Sequence, residues 1–366
     1  MKILHFSSAT TWRGGEQQIA YLVEELNKEE IQQWIYCPKN SALAEYCLFH
    51  NLPHFTYSKL FSTNPLVAFQ FKKLCQQLKV SIAHIHDSHS HTFAYMSALI
   101  GNPTPLVLSR RVDFPVQNNG LSKKKYNHPS IKKILSVSQA VQDILAPAID
   151  EKSKLSVVHS GIDTTKFDAA KKGKLRKELD LSSSTKIIAS IAAIAPHKDY
   201  YTFVNAAAII KRRHPDILFL IIGGDGGEQA NIEAYIQSKE LSHTIKLLGF
   251  RKDIPVILPD IDVLLYTSKE EGLGTTLLDV LACGVPIVAT NAGGIPEIIQ
   301  HQKNGLLAPV GDAQKLANAV STILCEANLA KDYVAEGKER VKVFSKEMTA
   351  LKTLVIYKKI LNENNP

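Results

Sequence analysis

The sequence predicts an α/β protein made of two Rossmann-like, doubly wound parallel-sheet domains in series, facing across a cleft. Three observations lead there. Short apolar runs alternate with amphipathic helical patterns through the first 160 or so residues, which is the signature of βαβ units and a parallel sheet. The alternation pauses at Gly161-Ile162-Asp163 and then starts afresh. The length of 366 residues suits about two domains rather than one. Domains are therefore expected at 1–163 and 164–343, followed by a C-terminal segment at 344–366.

In the first domain the strands read as Ile3–Phe6, Trp34–Cys37, Ile82–His86, Leu106–Leu108, Ile134–Val137 and Leu155–His159. Helical periodicity appears at Gln17–Leu26, Val67–Leu78 and Gln139–Ala148. After the charged segment Lys171–Lys177, strands read as Ile187–Ile194, Ile217–Gly223, Ile245–Gly249, Val263–Tyr266 and Ile287–Ala289. Helices fall at Tyr201–Arg213, Ile232–Lys239, Thr276–Leu281 and Ala313–Leu324. The pattern Met348, Leu351, Leu354, Val355, Ile360 and Leu361 is also helical. Two such domains predict ligand binding at the carboxyl ends of the strands.

Composition narrows the function. Apolar residues make up 45% of the chain, ordinary for a globular protein, and no window approaches the roughly 20 apolar residues of a membrane span. The start, Met1-Lys2-Ile3-Leu4-His5-Phe6, is too short an apolar run for a signal peptide, so a cytosolic protein is expected. Five scattered cysteines, Cys37, Cys47, Cys75, Cys283 and Cys325, lack metal-ligand spacing and read as reduced thiols. A formal charge of +8 favours an anionic partner. Seven basic residues between Arg110 and Lys133 face the single acid Asp113. This stretch is either a solvated loop or a patch for an anionic membrane surface or phosphorylated acceptor. Nucleic acid is not expected, because no recognition helix or interleaved aromatics accompany the charge.

The most specific chemistry lies in Glu270-Glu271-Gly272-Leu273-Gly274-Thr275-Thr276-Leu277-Leu278-Asp279, followed by Ala282-Cys283-Gly284-Val285-Pro286 and Asn291-Ala292-Gly293-Gly294. A strand runs into an acidic glycine loop and then a helix. Glu271 can accept hydrogen bonds from sugar hydroxyls and Asp279 from ribose hydroxyls. Between them the amides of Gly274, Thr275 and Thr276 face the intervening anion at a helix N-terminus, which suits a diphosphate. A surface loop with a helix-end acid is the plainer alternative.

These motifs resemble the acidic signature of the retaining glycosyltransferases of family four, the glycosyl transferases group 1, which have the GT-B fold. The resemblance spans almost the whole chain and implies a metal-independent enzyme without a cofactor, whose donor substrate is a nucleoside diphosphate sugar. It also implies that the C-terminal helix returns to brace the first domain. Asp279 stands where the family carries Glu, one methylene shorter. The loop Ile191-Ala192-Ala193-Ile194-Ala195-Pro196-His197-Lys198-Asp199 matches the family's diphosphate loop, with Lys198 in place but Ala193 where an Arg is usual. Arg13 or Arg251 could substitute for that cation. By the same resemblance Gly249-Phe250-Arg251 lies near the base, with Phe250 and Arg251 as donor-binding residues.

Thr11-Trp12-Arg13-Gly14-Gly15-Glu16-Gln17 opens a helix after the first strand, and Gly14 and Gly15 let a ligand approach the backbone, unless they serve only a tight turn. His84-Ile85-His86-Asp87-Ser88-His89-Ser90-His91 ends a strand, with His84 and His86 on one face and His89 and His91 in the loop beyond. The spacing fits no metal motif. The resemblance places His89, with His86 next, beside the donor sugar, and leaves His84 as a core histidine. Arg110 and Arg111 could grip an acceptor phosphate or carboxylate, or pair with local acids. Asp260-Ile261-Asp262 reads as coincidental, so no metal site is expected.

The expected activity is transfer of a sugar, from a UDP-sugar first, to a saccharide or lipid-linked acceptor with retention of configuration. The setting would be envelope glycan assembly such as lipopolysaccharide, at the inner face of a membrane. A sugar-nucleotide epimerase and a non-catalytic binding relative or scaffold remain the rival readings.

Overall fold

The computed structural model describes residues 1–59, 64–116, 120–167 and 172–363; Lys171 and residues 364–366 of the C-terminal segment lie outside them. The chain divides into two compact units, Met1–Gly161 with Lys346–Pro366, and Ile162–Ser345.

Among the described residues the first unit holds seven parallel strands: β1 (Lys2–Phe6), β2 (Gln32–Pro38), β3 (His54–Tyr57), β4 (Ile82–Ile85), β5 (Leu106–Arg110), β6 (Ile131–Ser136) and β7 (Leu155–Val157). Their order is β3-β2-β1-β4-β5-β6-β7, so the winding reverses between β1 and β4. Runs such as Ile82–Ile85 are buried at every position, as expected of parallel strands covered on both faces. One face packs Phe6, Phe71, Phe93 and Leu108 beneath helices Pro65–Leu78 and Ser88–Leu99. On the other, Ile3, Ile82, Val107 and Leu135 meet Leu22 and Leu26 of helix Gly14–Asn27. Ala350, Leu354, Tyr357 and Ile360 of helix Lys346–Glu363 join that layer, so the last helix belongs to the first unit.

Among its described residues the second unit has six parallel strands: β8 (Lys186–Ile191), β9 (Ile217–Ile222), β10 (Ile245–Gly249), β11 (Val263–Tyr266), β12 (Ile287–Thr290) and β13 (Leu306–Ala308). Their order is β10-β9-β8-β11-β12-β13, reversing between β8 and β11. β9, Ile-Leu-Phe-Leu-Ile-Ile, is buried throughout and lies against Phe203 and Ile210 of helix Tyr200–Arg213.

Two strands escape the sequence pattern. β3 is a short edge strand with two exposed residues, and β13 has only three residues. His89 and His91 are not in a loop: Asp87 accepts hydrogen bonds from the amides of His89 (3.0 Å) and Ser90 (2.9 Å) and starts helix Ser88–Leu99 directly after β4. The Asp-x-Asp pair has a structural task. Buried Asp260 accepts from the amides of Gly173 (2.6 Å) and Leu175 (2.7 Å), and Asp262 from Ile187 N–H (2.9 Å) and Arg176 (2.9 Å).

Candidate active site

In the second unit the functional loops leave β8 and β11, the two strands at the reversal point where open α/β sheets bind ligands. The β8 loop ends in Lys198 and Asp199; Asp199 takes a left-handed backbone (φ 50°) and caps helix Tyr200–Arg213. Thr267 Oγ1 donates to the carbonyls of Lys198 and Asp199, each at 3.1 Å, and the Lys269 amide donates to the His197 carbonyl at 2.8 Å. These bonds hold the two loops side by side. Lys198 Nζ thereby stands 2.5 Å from Glu271 Oε2, with both side chains largely buried. Tyr266 OH donates to the same oxygen at 2.7 Å and accepts from Lys198 at 3.2 Å. Burial and the Glu271 charge raise the Tyr266 pKa well above its ordinary value, so the phenol remains a donor. An ammonium has three N–H groups; Glu271 and Tyr266 engage two, which leaves one for a further acceptor.

The carboxylate is positioned from behind by glycines. Gly294 N–H donates to the Glu271 carbonyl at 2.9 Å. Gly293 has φ +49°, and a Cβ there would fall 2.1 Å from that carbonyl oxygen, so no other residue fits. Gly274, at φ 88°, starts helix Thr275–Cys283 without a side-chain cap, which leaves first-turn amides and the positive end of the helix for an anion. Asp279 sits one turn further on, and burial raises its carboxyl pKa to about 7 against the opposing charge of Lys166.

The remaining second-unit candidates separate. Phe250 is 72% exposed beside Gly224, free to lie against a planar ring. Arg251 is bound by Glu178 (2.5 and 2.9 Å) and Asp253 (2.8 and 2.9 Å). Its charge is answered locally, which disfavours the role of substitute cation for the position of Ala193.

In the first unit β1 and β4 flank the reversal point. Their ends bring together Ser8, His86 and Asp87, with Arg111 from beyond β5. Ser8 donates to Asp87 through its amide (2.6 Å) and hydroxyl (2.5 Å). Arg111 donates to the His86 carbonyl at 2.9 Å and to His86 Nδ1 at 3.3 Å. Since Nδ1 accepts, His86 carries its proton on Nε2 and donates to His5 Nδ1 at 3.1 Å. His5 in turn donates from Nε2 to Gln33 Oε1 at 3.0 Å. One hydrogen-bond chain thus fixes every tautomer from Arg111 to Gln33. His84 is bonded to Tyr357 OH (2.5 Å) and Ser109 Oγ (2.8 Å). Burial holds the His5 pKa down to about 4 and those of His84 and His86 well below the usual value.

Among the described residues His5, His84 and His86 also place ring nitrogens within 4.8 Å of one another. Each of those nitrogens already has a partner, no carboxylate joins the set, and the Arg111 cation adjoins it. The trio suits a neutral hydrogen-bonded cluster better than a metal. Histidine spacing within 84–91 missed His5, because its approach to His84 comes from the β1–β4 register.

His89 is exposed in the first turn of its helix, away from that chain. Arg13 is exposed at the start of helix Gly14–Asn27, where its amide donates to Glu16 Oε2 at 3.0 Å. Gly14 and Gly15 open that helix, and a Cβ at either would meet nothing within 4 Å; no tight turn requires them. Arg110 turns inward: its guanidinium donates to Tyr126 OH at 3.0 Å and to the Phe114 carbonyl.

Two family profiles match adjoining parts of the chain: "Glycosyltransferase Family 4" over residues 12–166 and "Glycosyl transferases group 1" over residues 171–340. The chain is 26% identical over 305 residues to N-acetyl-alpha-D-glucosaminyl L-malate synthase of Bacillus anthracis, covering 81% of this chain and 80% of that one. It is 25% identical over 356 residues to a Campylobacter jejuni N-acetylgalactosaminyltransferase acting on a diphospho-undecaprenol-linked saccharide, covering 91% and 93%. Among solved structures, a Rickettsia africae glycosyltransferase superposes with TM-score 0.86 at 24% identity, covering 98% of both chains. The Anabaena protein HepE, in complex with UDP and glucose, gives TM-score 0.84 at 19% identity, covering 97% of this chain and 98% of its own.

Proposed function

We propose that this chain, which belongs to the glycosyltransferases of group 1, moves a sugar from a UDP-sugar to an acceptor hydroxyl with retention of configuration. The observation that carries this reading is the Lys198–Glu271–Tyr266 contact set beside the uncapped helix start at Gly274. Glu271 accepts from the donor sugar hydroxyls, while the third N–H of Lys198 and the first-turn amides hold the diphosphate. Asp279 receives the ribose and Phe250 lies against the base. Stabilising charge that develops on a leaving group is the largest electrostatic task in such a transfer.

In the proposed step the bond from the anomeric carbon to the β-phosphate oxygen breaks as the acceptor oxygen bonds to that carbon on the same face. The acceptor proton passes to the departing diphosphate, so UDP leaves with both bonding electrons. No step calls for a metal or cofactor. UDP as donor nucleotide is supported by the UDP complex of HepE. An envelope-glycan acceptor, saccharide or lipid-linked, is supported by the Campylobacter relative's lipid-linked substrate, and work at the cytoplasmic face of a membrane is part of the same proposal. No helix among the described residues is long and apolar enough to cross a membrane.

The test is thermal stability with UDP-, GDP- and ADP-sugars for wild type, Glu271→Ala and Lys198→Ala. A rise specific to UDP-sugars and reduced in both variants is expected. No shift with any donor would overturn the reading and favour a non-catalytic relative.

A further inference from the structure

We propose that Arg110, Lys125 and His91 of the first unit form a binding site for a phosphoryl group. Arg110 closes β5 and is only 6% exposed. Its terminal nitrogens donate to the Tyr126 hydroxyl and the Phe114 carbonyl, the Phe114 ring covers the guanidinium at 5.0 Å, and Nε has no partner. Among the described residues no carboxylate pairs with it. Lys125, from helix Gly120–Tyr126, reaches only neutral oxygens, Thr92 Oγ1 at 3.2 Å and the Ser88 carbonyl at 3.5 Å. His91 is 1% exposed, its ring meets Tyr126 edge-on at 4.8 Å, and its ring nitrogens make no hydrogen bond of good geometry, only a weak contact with the Lys125 backbone.

Buried cations are normally paired, and buried polar atoms normally bonded. Here two cations and the orphaned Arg110 Nε gather beside the His91 ring, and the acid that acts on Lys125, Asp87, is already held by Ser8. Burial first, and then the charges of Lys125 and Arg110, push the His91 pKa well below its usual value. Burial and Arg110 likewise lower that of Lys125, against the opposing pull of Asp87. An oxyanion would reverse both effects, taking hydrogen bonds from His91 and Arg110 Nε and the charge of Lys125, which is only partly buried and open to solvent. Three acceptor oxygens around one centre match a phosphoryl group. Its source is either free phosphate or a phosphorylated acceptor. The site uses none of the donor residues, so it holds whether or not the proposed transfer does.

The experiment is calorimetric titration of the full chain with inorganic phosphate at constant ionic strength, with UDP present to fill the donor site, using wild type, Lys125→Met, Arg110→Gln and Lys73→Met, a change at an exposed lysine of helix Pro65–Leu78. Loss of a charge-assisted contact should weaken phosphate binding by about tenfold or more in the first two variants, and Lys73→Met should leave it unchanged. Without phosphate, Lys125→Met should change stability little, because the ammonium is partly exposed and its hydrogen bonds go to neutral oxygens. Glucose 1-phosphate and geranyl diphosphate then separate the sources. Binding as tight as phosphate with the same variant dependence assigns the site to a substrate, and binding of inorganic phosphate alone assigns it to the free ion. Absence of phosphate binding in wild type, or binding unchanged in both Lys125→Met and Arg110→Gln, would overturn the proposal.

Discussion

Lys198→Met is the sharpest perturbation of the donor chemistry. The ammonium lies 2.5 Å from Glu271 Oε2, with the two side chains 13% and 14% exposed. Methionine keeps most of the stem volume and removes the charge. If the third N–H serves the diphosphate, the variant loses a charge-assisted hydrogen bond of about 1.5–3 kcal/mol, so UDP should bind roughly ten- to hundredfold more weakly. Turnover should fall further, by about a hundredfold or more, since the charge on the leaving diphosphate grows in the transition state. Glu271→Gln separates the two ends of the donor. It keeps an acceptor for Tyr266 and leaves Lys198 free, so UDP affinity should hold or rise while the gain from the attached sugar disappears. Titration calorimetry with UDP and with UDP-sugar, on both variants, reads these terms directly. UDP affinity within twofold of wild type in Lys198→Met would refute the assignment of the ammonium to the diphosphate.

Three further outcomes follow from the geometry. Asp279 titrates near 7 in the fold against an ordinary 3.8, so the native state holds the extra proton and stability should fall as pH rises from about 4 through 7. Asp279→Asn should flatten that slope in melting curves, and an unchanged slope would show that another group causes it. Gly293→Ala would put a Cβ 2.1 Å from the Glu271 carbonyl oxygen; UDP-sugar affinity should drop sharply in a chain whose circular dichroism is otherwise native. Gln33→Leu strands the His5 Nε2–H, and an orphaned buried donor costs about 1–3 kcal/mol, measurable as a lowered urea midpoint.

The histidines give the opposite pH limb. His5 is held down to about 4 in the fold and titrates near 6.5 when unfolded. Stability is therefore complete above the unfolded value and is lost as pH falls through that window. With Asp279 losing stability upward and the His5–His86 chain losing it downward, the two effects oppose each other between about 4 and 7.

Apolar periodicity was enough to find β8, β9 and β11, because strands buried on both faces leave continuous runs of Ile, Leu and Val. It could not find β3, whose edge position leaves half its residues in solvent, or β13, whose three residues form no period. The α/β fold class and the GT-B resemblance were legible because strand, loop and helix recur in fixed order. The helix at Ser88 is hidden by its histidines and serines, which are weak helix formers, and the Asp87 cap that starts it is the one local signal for it.

The site itself divides along the same line. Lys198 and Glu271 could each be picked from a loop after a strand, since a cation and an acid beside glycines carry their chemistry in short motifs. Their contact, and the part of Tyr266 between them, comes from parallel pairing of β8 with β11, which no local spacing records. The same holds for His5: an unremarkable strand residue becomes the hinge of a tautomer chain only because β1 lies in register with β4. Arg110 and Arg111 make the point most clearly. Adjacent on one chain, they point to different partners, Arg111 to His86 and Arg110 to Tyr126. Adjacency allowed one grip on one anion or pairing with local acids; because β5 ends at Arg110, each arginine has its own surroundings, Arg111 near the charges of Glu16 and Asp87 and Arg110 with no paired carboxylate among the described residues.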